Sequence, residues 1–189
     1  MHAATAMDTP VAPLERPAWA QRTFCFGQPP WMAIDFAERL RGTVHRLAAL
    51  LADLDTAALR ARTGGAWSVL QNAGHLGDVE ELWQQRVEDL RAGRDAFTPA
   101  DAGHFRALAE AHQTRSVEDV LTYLTARRAP FVRALLTADE RLRSADAHHE
   151  RLGTRLRLVD MAQFAAEHDD HHLLRIRALR RELGAPEPA

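Results

Sequence analysis

A single cysteine, Cys25, leaves the chain without an intramolecular disulfide or a cysteine-rich zinc pattern, and fits a reducing compartment. Nothing beside Cys25 supplies a base to activate its thiol, so it reads as a packed or idle residue. Charge of one sign is scarce as well. The formal net charge is -2 and every basic stretch is interleaved with acids, which argues against nucleic acid as a partner. No run approaches the roughly 18 apolar residues that cross a membrane, and the first residues lack the charged and apolar blocks of a signal peptide. The expectation is a cytoplasmic protein with no membrane partner. Convincing strands and internal repeats are also missing, which points to an all-α fold.

What is present is enough for one domain. The chain has 189 residues, 46% of them hydrophobic, as in an ordinary globular protein with one full core. Residues 1–30 carry Pro10, Pro13, Pro17, Pro29 and Pro30 without sustained periodicity and read as an irregular arm. Its first fifteen or so residues are expected to be mobile. Trp19, Phe24, Cys25 and Phe26 are candidates to dock the remainder on the body or on a second subunit.

Helical periodicity begins after the arm. Residues 31–52 place Ile34, Ala37, Leu40, Val44, Leu47 and Leu51 on one face. Residues 53–65 read as a connection with a helical turn at 56–60, closed by Gly64 and Gly65. Ser68 and Gln71 form a capping box that starts a helix running to about Ala92 and stopping at Gly93. Inside it, Gly74 and Gly77 each forgo roughly 1 kcal/mol of helix propensity, which suggests that another backbone approaches closely. A loop and a short helix from about Gly103 follow. Ser116 caps a helix to about Leu136, in which Pro130 should produce a kink near Ala126. A loop carrying His148, His149 and Gly153 leads to a last helix over residues 158–183. Four long amphipathic helices with one short extra helix make a bundle the natural architecture.

The last helix holds the most informative stretch, Glu167-His168-Asp169-Asp170-His171-His172. Four helical residues turn through about 400° and rise about 6 Å, so His168 and His172 project side by side. Both fall on the apolar stripe of Leu158, Ala162, Ala165, Ile176 and Leu179. That spacing matches the bite of a metal ion held between helices, the alternative being hydrogen-bonded core histidines. His171 lies at the stripe's edge, a weaker candidate. Asp169 and Asp170 point away and read as a solvated face. Asp169 stands where the zinc-protease signature needs glutamate, so that chemistry is not indicated. His75, on the second long helix, is by itself either a core residue or a ligand.

The motifs together resemble one family. Trp67-Ser68-Val69 leads to His75-Leu76-Gly77-Asp78-Val79-Glu80; His149-Glu150-Arg151-Leu152-Gly153 follows; then comes Leu158-Val159-Asp160-Met161 with Ala166-Glu167-His168-Asp169-Asp170-His171-His172-Leu173. Their order and spacing resemble the DinB-like (DinB/YfiT) superfamily over residues 31–183, with Glu150 where some members have proline. The resemblance implies a four-helix bundle over residues 31–189, up-down-down-up with a long crossover and often a homodimer. It also implies a metal triad of His75, His168 and His172.

Three neutral imidazoles suit one divalent ion, zinc, nickel or iron(II), and leave a position open for substrate. Asp78 and Glu167 are candidates to orient a ligand, or are simply surface carboxylates; His149 is expected to face the site from its loop without ligating. Related bundles include bacillithiol transferases and mycothiol-dependent isomerases, which implies a transferase or isomerase acting on a small molecule with a low-molecular-weight thiol. The iron-dependent sulfoxide synthases carry a similar bundle fused to a second domain, an activity not expected here. The alternatives are a non-catalytic metal-binding stress-response protein and a metal-free structural dimer.

Overall fold

The computed structural model describes residues 16–186, so the expected mobility of the first fifteen falls outside the described residues. Helix α1 (Met32–Leu51) buries Ala37, Leu40, Leu47 and Leu51. Ile34, expected on that face, is 63% exposed, because the first turn of α1 stands at the surface beside Pro30 and Trp31. Asp55 caps the short α2 (Thr56–Arg60) by accepting from the Ala58 amide. The Ser68–Gln71 capping box starts α3 (Val69–Asp78) as the sequence indicates. The single helix expected to reach residue 92 is interrupted at Val79, whose amide turns back to the carbonyls of His75 and Gly77, and resumes as α4 (Glu80–Arg91).

Helix α5 (Ala102–Ala111) is capped by Asp101, and α6 (Val117–Thr137) by a Ser116–Asp119 box. Pro130 is exposed and α6 continues through it, its missing hydrogen bond falling on the solvent side. Helix α7 (Glu140–Ser144) is a single turn. The loop expected around His148 and His149 is instead a hairpin: β1 (Asp146–His149) pairs antiparallel with β2 (Thr154–Arg157), turning through Gly153 at φ 62°. Four-residue strands without a β-branched run give too short an alternation to be read from sequence. Helix α8 (Leu158–Glu182) ends before Gly184, which has φ 71°.

Side-chain pairs fix the bundle's order. Asp78 meets Tyr123, Glu80 meets Arg128 and Trp83 meets Phe131, so α3–α4 and α6 run parallel. Thr43 meets Asp169 and Leu50 meets Arg180, so α1 and α8 are also parallel. Asn72 meets His172 while Trp83 meets Phe164, so α3–α4 and α8 are antiparallel. The result is up-down-down-up. Parallel neighbours need a long crossover, supplied here by residues 92–116 with α5 inside it.

The apolar core is split in two. One cluster gathers Phe36, Leu40, Trp83, Phe131 and Phe164; the other gathers Leu47, Leu70, Leu76, Leu124 and Ile176. Between them lies a polar layer of Thr43, His75, Arg128, His168, Asp169 and His172, all buried. Asp169, expected in solvent, is fully buried: it accepts from Thr43 Oγ1 at 2.7 Å and from both Arg128 Nη atoms at 2.6 and 3.1 Å. Arg128 also donates to Glu80 at 2.5 Å. Burial lifts the Glu80 carboxyl to about 8 against the pull of Arg128, with the charge of Asp169 adding to the rise.

Candidate metal centre

Three helical side chains converge at the polar layer. His75 projects from α3, and His168 and His172 project from adjacent turns of α8, with one nitrogen from each ring lying within 4.8 Å of the others. The rings are 6%, 8% and 6% exposed. Their centroids lie 5.3 Å (75–168), 4.8 Å (75–172) and 4.6 Å (168–172) apart. The side-by-side projection expected of residues four apart on α8 is therefore present, and α3 brings the third ring to the pair.

Asn72, which sequence reasoning did not single out, sets the orientation of one ring. Its Nδ2 donates to the carbonyls of Trp67 at 3.2 Å and Ser68 at 2.8 Å, which turns its Oδ1 toward His172 Nδ1 at 2.9 Å. An amide oxygen only accepts, so His172 carries its proton on Nδ1 and keeps a lone pair on Nε2. This is the support that a metal-ligating imidazole receives from its outer partner. Asn72 lies one turn before His75 on α3, and that spacing was its one sequence signal.

Electrostatics favour a ligand set. Burial lowers the His75 pKa to about 4 and drives those of His168 and His172 well below the ordinary histidine value. All three rings are thus neutral at pH 7, as a metal requires. Nδ1 of His75 and Nδ1 of His168 are buried with no hydrogen-bond partner. Unpaired buried polar atoms are costly. A neutral three-nitrogen set with unpaired atoms suits a borderline divalent ion such as zinc, nickel or iron(II).

The other candidates take different places. Asp78 does not reach His75: its carboxylate accepts from His112 Nε2 at 3.0 Å on both oxygens and from the Tyr123 hydroxyl at 3.2 Å. His112 and Tyr123 also explain the two glycines. A Cβ on Gly74 would lie 2.1 Å from the His112 ring, and one on Gly77 would lie 2.5 Å from the Tyr123 ring. The close approach inferred from sequence is thus made by side-chain rings rather than by a backbone. Glu167 pairs with Arg39 at 2.9 Å and with Arg16 at 3.6 Å, on the side of α8 facing α1 and the arm. Asp170 pairs with Arg39 and Arg46 there. His171 Nδ1 accepts from Arg22 Nη2 at 3.2 Å, and its ring stacks on Trp19 at 5.3 Å.

Trp19 docks the arm on the body. It stacks on Phe164 and meets the His168 ring edge-on, each at 5.3 Å, while Phe24 also meets Phe164 at 5.3 Å. Cys25 in the same arm is exposed. On the opposite flank, Trp67 lies 4.9 Å from His75 and Phe105 lies 5.3 Å from it. A cavity of about 410 Å³ opens beside His75 and His168, walled by Trp19, Trp83, Phe105 and Phe164. His149, carried in by the hairpin, faces this cavity; burial lowers its pKa to about 4. The larger cleft of about 770 Å³ between the arm and the hairpin does not include the triad.

Residues 39–176 match the family model of the DinB superfamily. Among solved structures, the chain is similar to YfiT from Bacillus subtilis, with a TM-score of 0.74 and 18% identity over 87% of this chain and 95% of that one. YfiT is described as "a probable metal-dependent hydrolase with an unusual four-helix bundle topology". An uncharacterized protein from Clostridium difficile 630 is similar with a TM-score of 0.62 and 10% identity, over 79% of this chain and 95% of that one. These likenesses are of fold. A comparison with curated proteins found no match.

Proposed function

The chain belongs to the DinB superfamily, and we propose that it is a metal-dependent enzyme in which His75, His168 and His172 hold one divalent ion. The observation that carries this reading is the convergence of three buried, neutral imidazoles, two of which, His75 and His168, line an open cavity. A closed four-ligand site would brace the fold, whereas three protein ligands beside a cavity leave room for a reacting molecule. When bound, the ion would supply Lewis acidity, lowering the pKa of a thiol or water held against it. Asn72 fixes the tautomer and tilt of His172. Trp19 and Trp83 pack against the His168 ring and, with Phe164, offer an apolar wall to an organic substrate.

The reaction we favour is transfer or isomerisation with a low-molecular-weight thiol, supported by the likeness of the motifs to bundles of that activity. Hydrolysis is the second reading, supported by the description of YfiT. One assay separates them. Metal-loaded protein is offered organic electrophiles with and without a panel of small thiols, alongside activated esters and amides in thiol-free buffer. Turnover that requires thiol supports the first reading. Cleavage in water alone, indifferent to thiol, overturns it in favour of hydrolysis. Metal binding without turnover in either arm would leave a non-catalytic metal-binding protein.

A further inference from the structure

The cavity beside the triad contains more than a metal site needs. Arg86 of α4 lines it and is 3% exposed. Its Nε donates to the Thr98 carbonyl at 3.0 Å, and its guanidinium lies over Trp83 at 5.3 Å and over Phe97 at 5.8 Å. Among the described residues, no carboxylate forms an ion pair with it. The acid nearest in its own helix, Asp89, is engaged by the Thr98 amide at 2.7 Å, by Gln85 and by Arg94. Burial lowers the Arg86 pKa only to about 10, so the group remains a cation at neutral pH. The buried charge of Asp89 attracts Arg86 from a distance, but no carboxylate touches the guanidinium, so an anionic ligand in direct contact would offset the cost of its burial.

Other groups at this wall have the same polarity. Arg151 faces the cavity over Phe164 at 5.2 Å, and likewise has no ion pair among the described residues. Trp83 Nε1 and both ring nitrogens of His149 are buried without a hydrogen-bond partner. Guanidinium and indole nitrogens can only donate. Glu150, the acid among the lining residues described, is exposed at the rim and pairs with neither arginine. Two cations and a buried indole N–H facing one apolar cavity form a receptor for an anion.

We propose that Arg86, with Arg151, Trp83 and His149, is a subsite for the oxyanion of a small substrate, a carboxylate or a phosphate ester. The apolar body of that substrate lies along Phe164 and Phe105. Its reacting end reaches the histidines, since Trp83 is 6.1 Å from His168; this last clause alone rests on the metal-site reading.

The test is calorimetric titration of the full chain with phenylacetate, phenyl phosphate and the neutral phenylacetamide, before and after removal of metal. The same titrations are run on Arg86→Gln and on the exposed-site variant Arg151→Gln, with metal content measured on every sample. One or both anions should bind wild type at least roughly tenfold more tightly than the amide and should still bind after chelation. Arg86→Gln should weaken that binding roughly ten- to hundredfold while its metal content stays that of wild type. The preferred anion assigns carboxylate or phosphate. Equal binding of amide and anion, or no saturable binding of either anion, overturns the proposal. So does anion binding that vanishes with the metal and ignores Arg86→Gln, which places the anion on the ion. The amide comparison needs no variant and stands if Arg86→Gln fails to fold. Wild type that takes up none of zinc, nickel or iron(II) when each is offered, yet binds the anion, would refute the metal site and leave this subsite standing.

Discussion

Replacing Gly74 with alanine should destabilise the protein although alanine is the better helix former. The ideal Cβ would lie 2.1 Å from His112 Cγ and 2.3 Å from its Nδ1, separations that real atoms do not adopt. His112 is 1% exposed and tied to both oxygens of buried Asp78, so its ring has no room to retreat. Forcing it out carries an overpacking cost of about 1–3 kcal/mol. The broken bond to a buried carboxylate adds a further ~1–3 kcal/mol. The gain in helix propensity offsets only about 1 kcal/mol. The net loss is about 1–5 kcal/mol, or roughly 2–20 °C in Tm for a chain of this size. Gly42 in α1 is the control, since a Cβ there meets nothing within 4 Å. Gly42→Ala should be neutral or stabilising by up to about 1 kcal/mol. Thermal and urea denaturation of the two variants reads the difference directly. A Gly74→Ala protein as stable as wild type would refute the argument that His112 fills the helix surface there.

Three further outcomes follow from the polar layer. Asn72→Ala frees the His172 ring to rotate and should weaken metal affinity roughly ten- to hundredfold in a competition titration, with helix content by circular dichroism unchanged; unaltered affinity would contradict the orienting role. In chelated protein, His75 refuses a proton that the unfolded chain accepts below pH 6.5, so stability is full above that pH and falls toward the folded value of about 4. His75 alone then accounts for about 2 kcal/mol lost between pH 6.5 and 5, read as a lower urea midpoint; a midpoint flat across that range would contradict it. Glu80 has the opposite sign: its raised folded pKa of about 8 makes its contribution complete below the ordinary 4.5 and lost as pH rises through 8. Glu80→Gln should remove that alkaline loss, and a stability profile that still declines to the same extent would place its origin elsewhere.

How much of this was legible in the sequence depended on whether the signal was local. The capping box at Ser68, the N-cap at Ser116, the stripe on α8 and the projection of His168 beside His172 depend on residues within one or two turns, and they stand as read. The up-down-down-up order came from the motif resemblance rather than from periodicity, and the side-chain pairs carry it. What depended on partners distant in the chain was not legible. Asp169 reads as a surface acid until Arg128, 41 positions earlier, is found beside it. Asp78 reads as a support for His75 until His112 and Tyr123 claim its carboxylate. Asn72 and Arg86 resemble ordinary helix residues, and only the cavity and the neighbouring helix give them roles. The hairpin was missed because its strands pair with each other and with Ala96 over stretches too short to alternate clearly.

The central claim is that the three histidines hold one divalent ion, and elemental mass spectrometry on untagged protein tests it most directly. Wild type, His168→Ala and His172→Ala are compared after purification and again after each of zinc, nickel and iron(II) is offered, with melting recorded with and without chelator. The account predicts about one equivalent of a single metal per wild-type chain, lost in both variants, and a lower wild-type Tm on chelation. No metal in wild type under any condition, with melting indifferent to chelator, would contradict it and make the triad a polar core network.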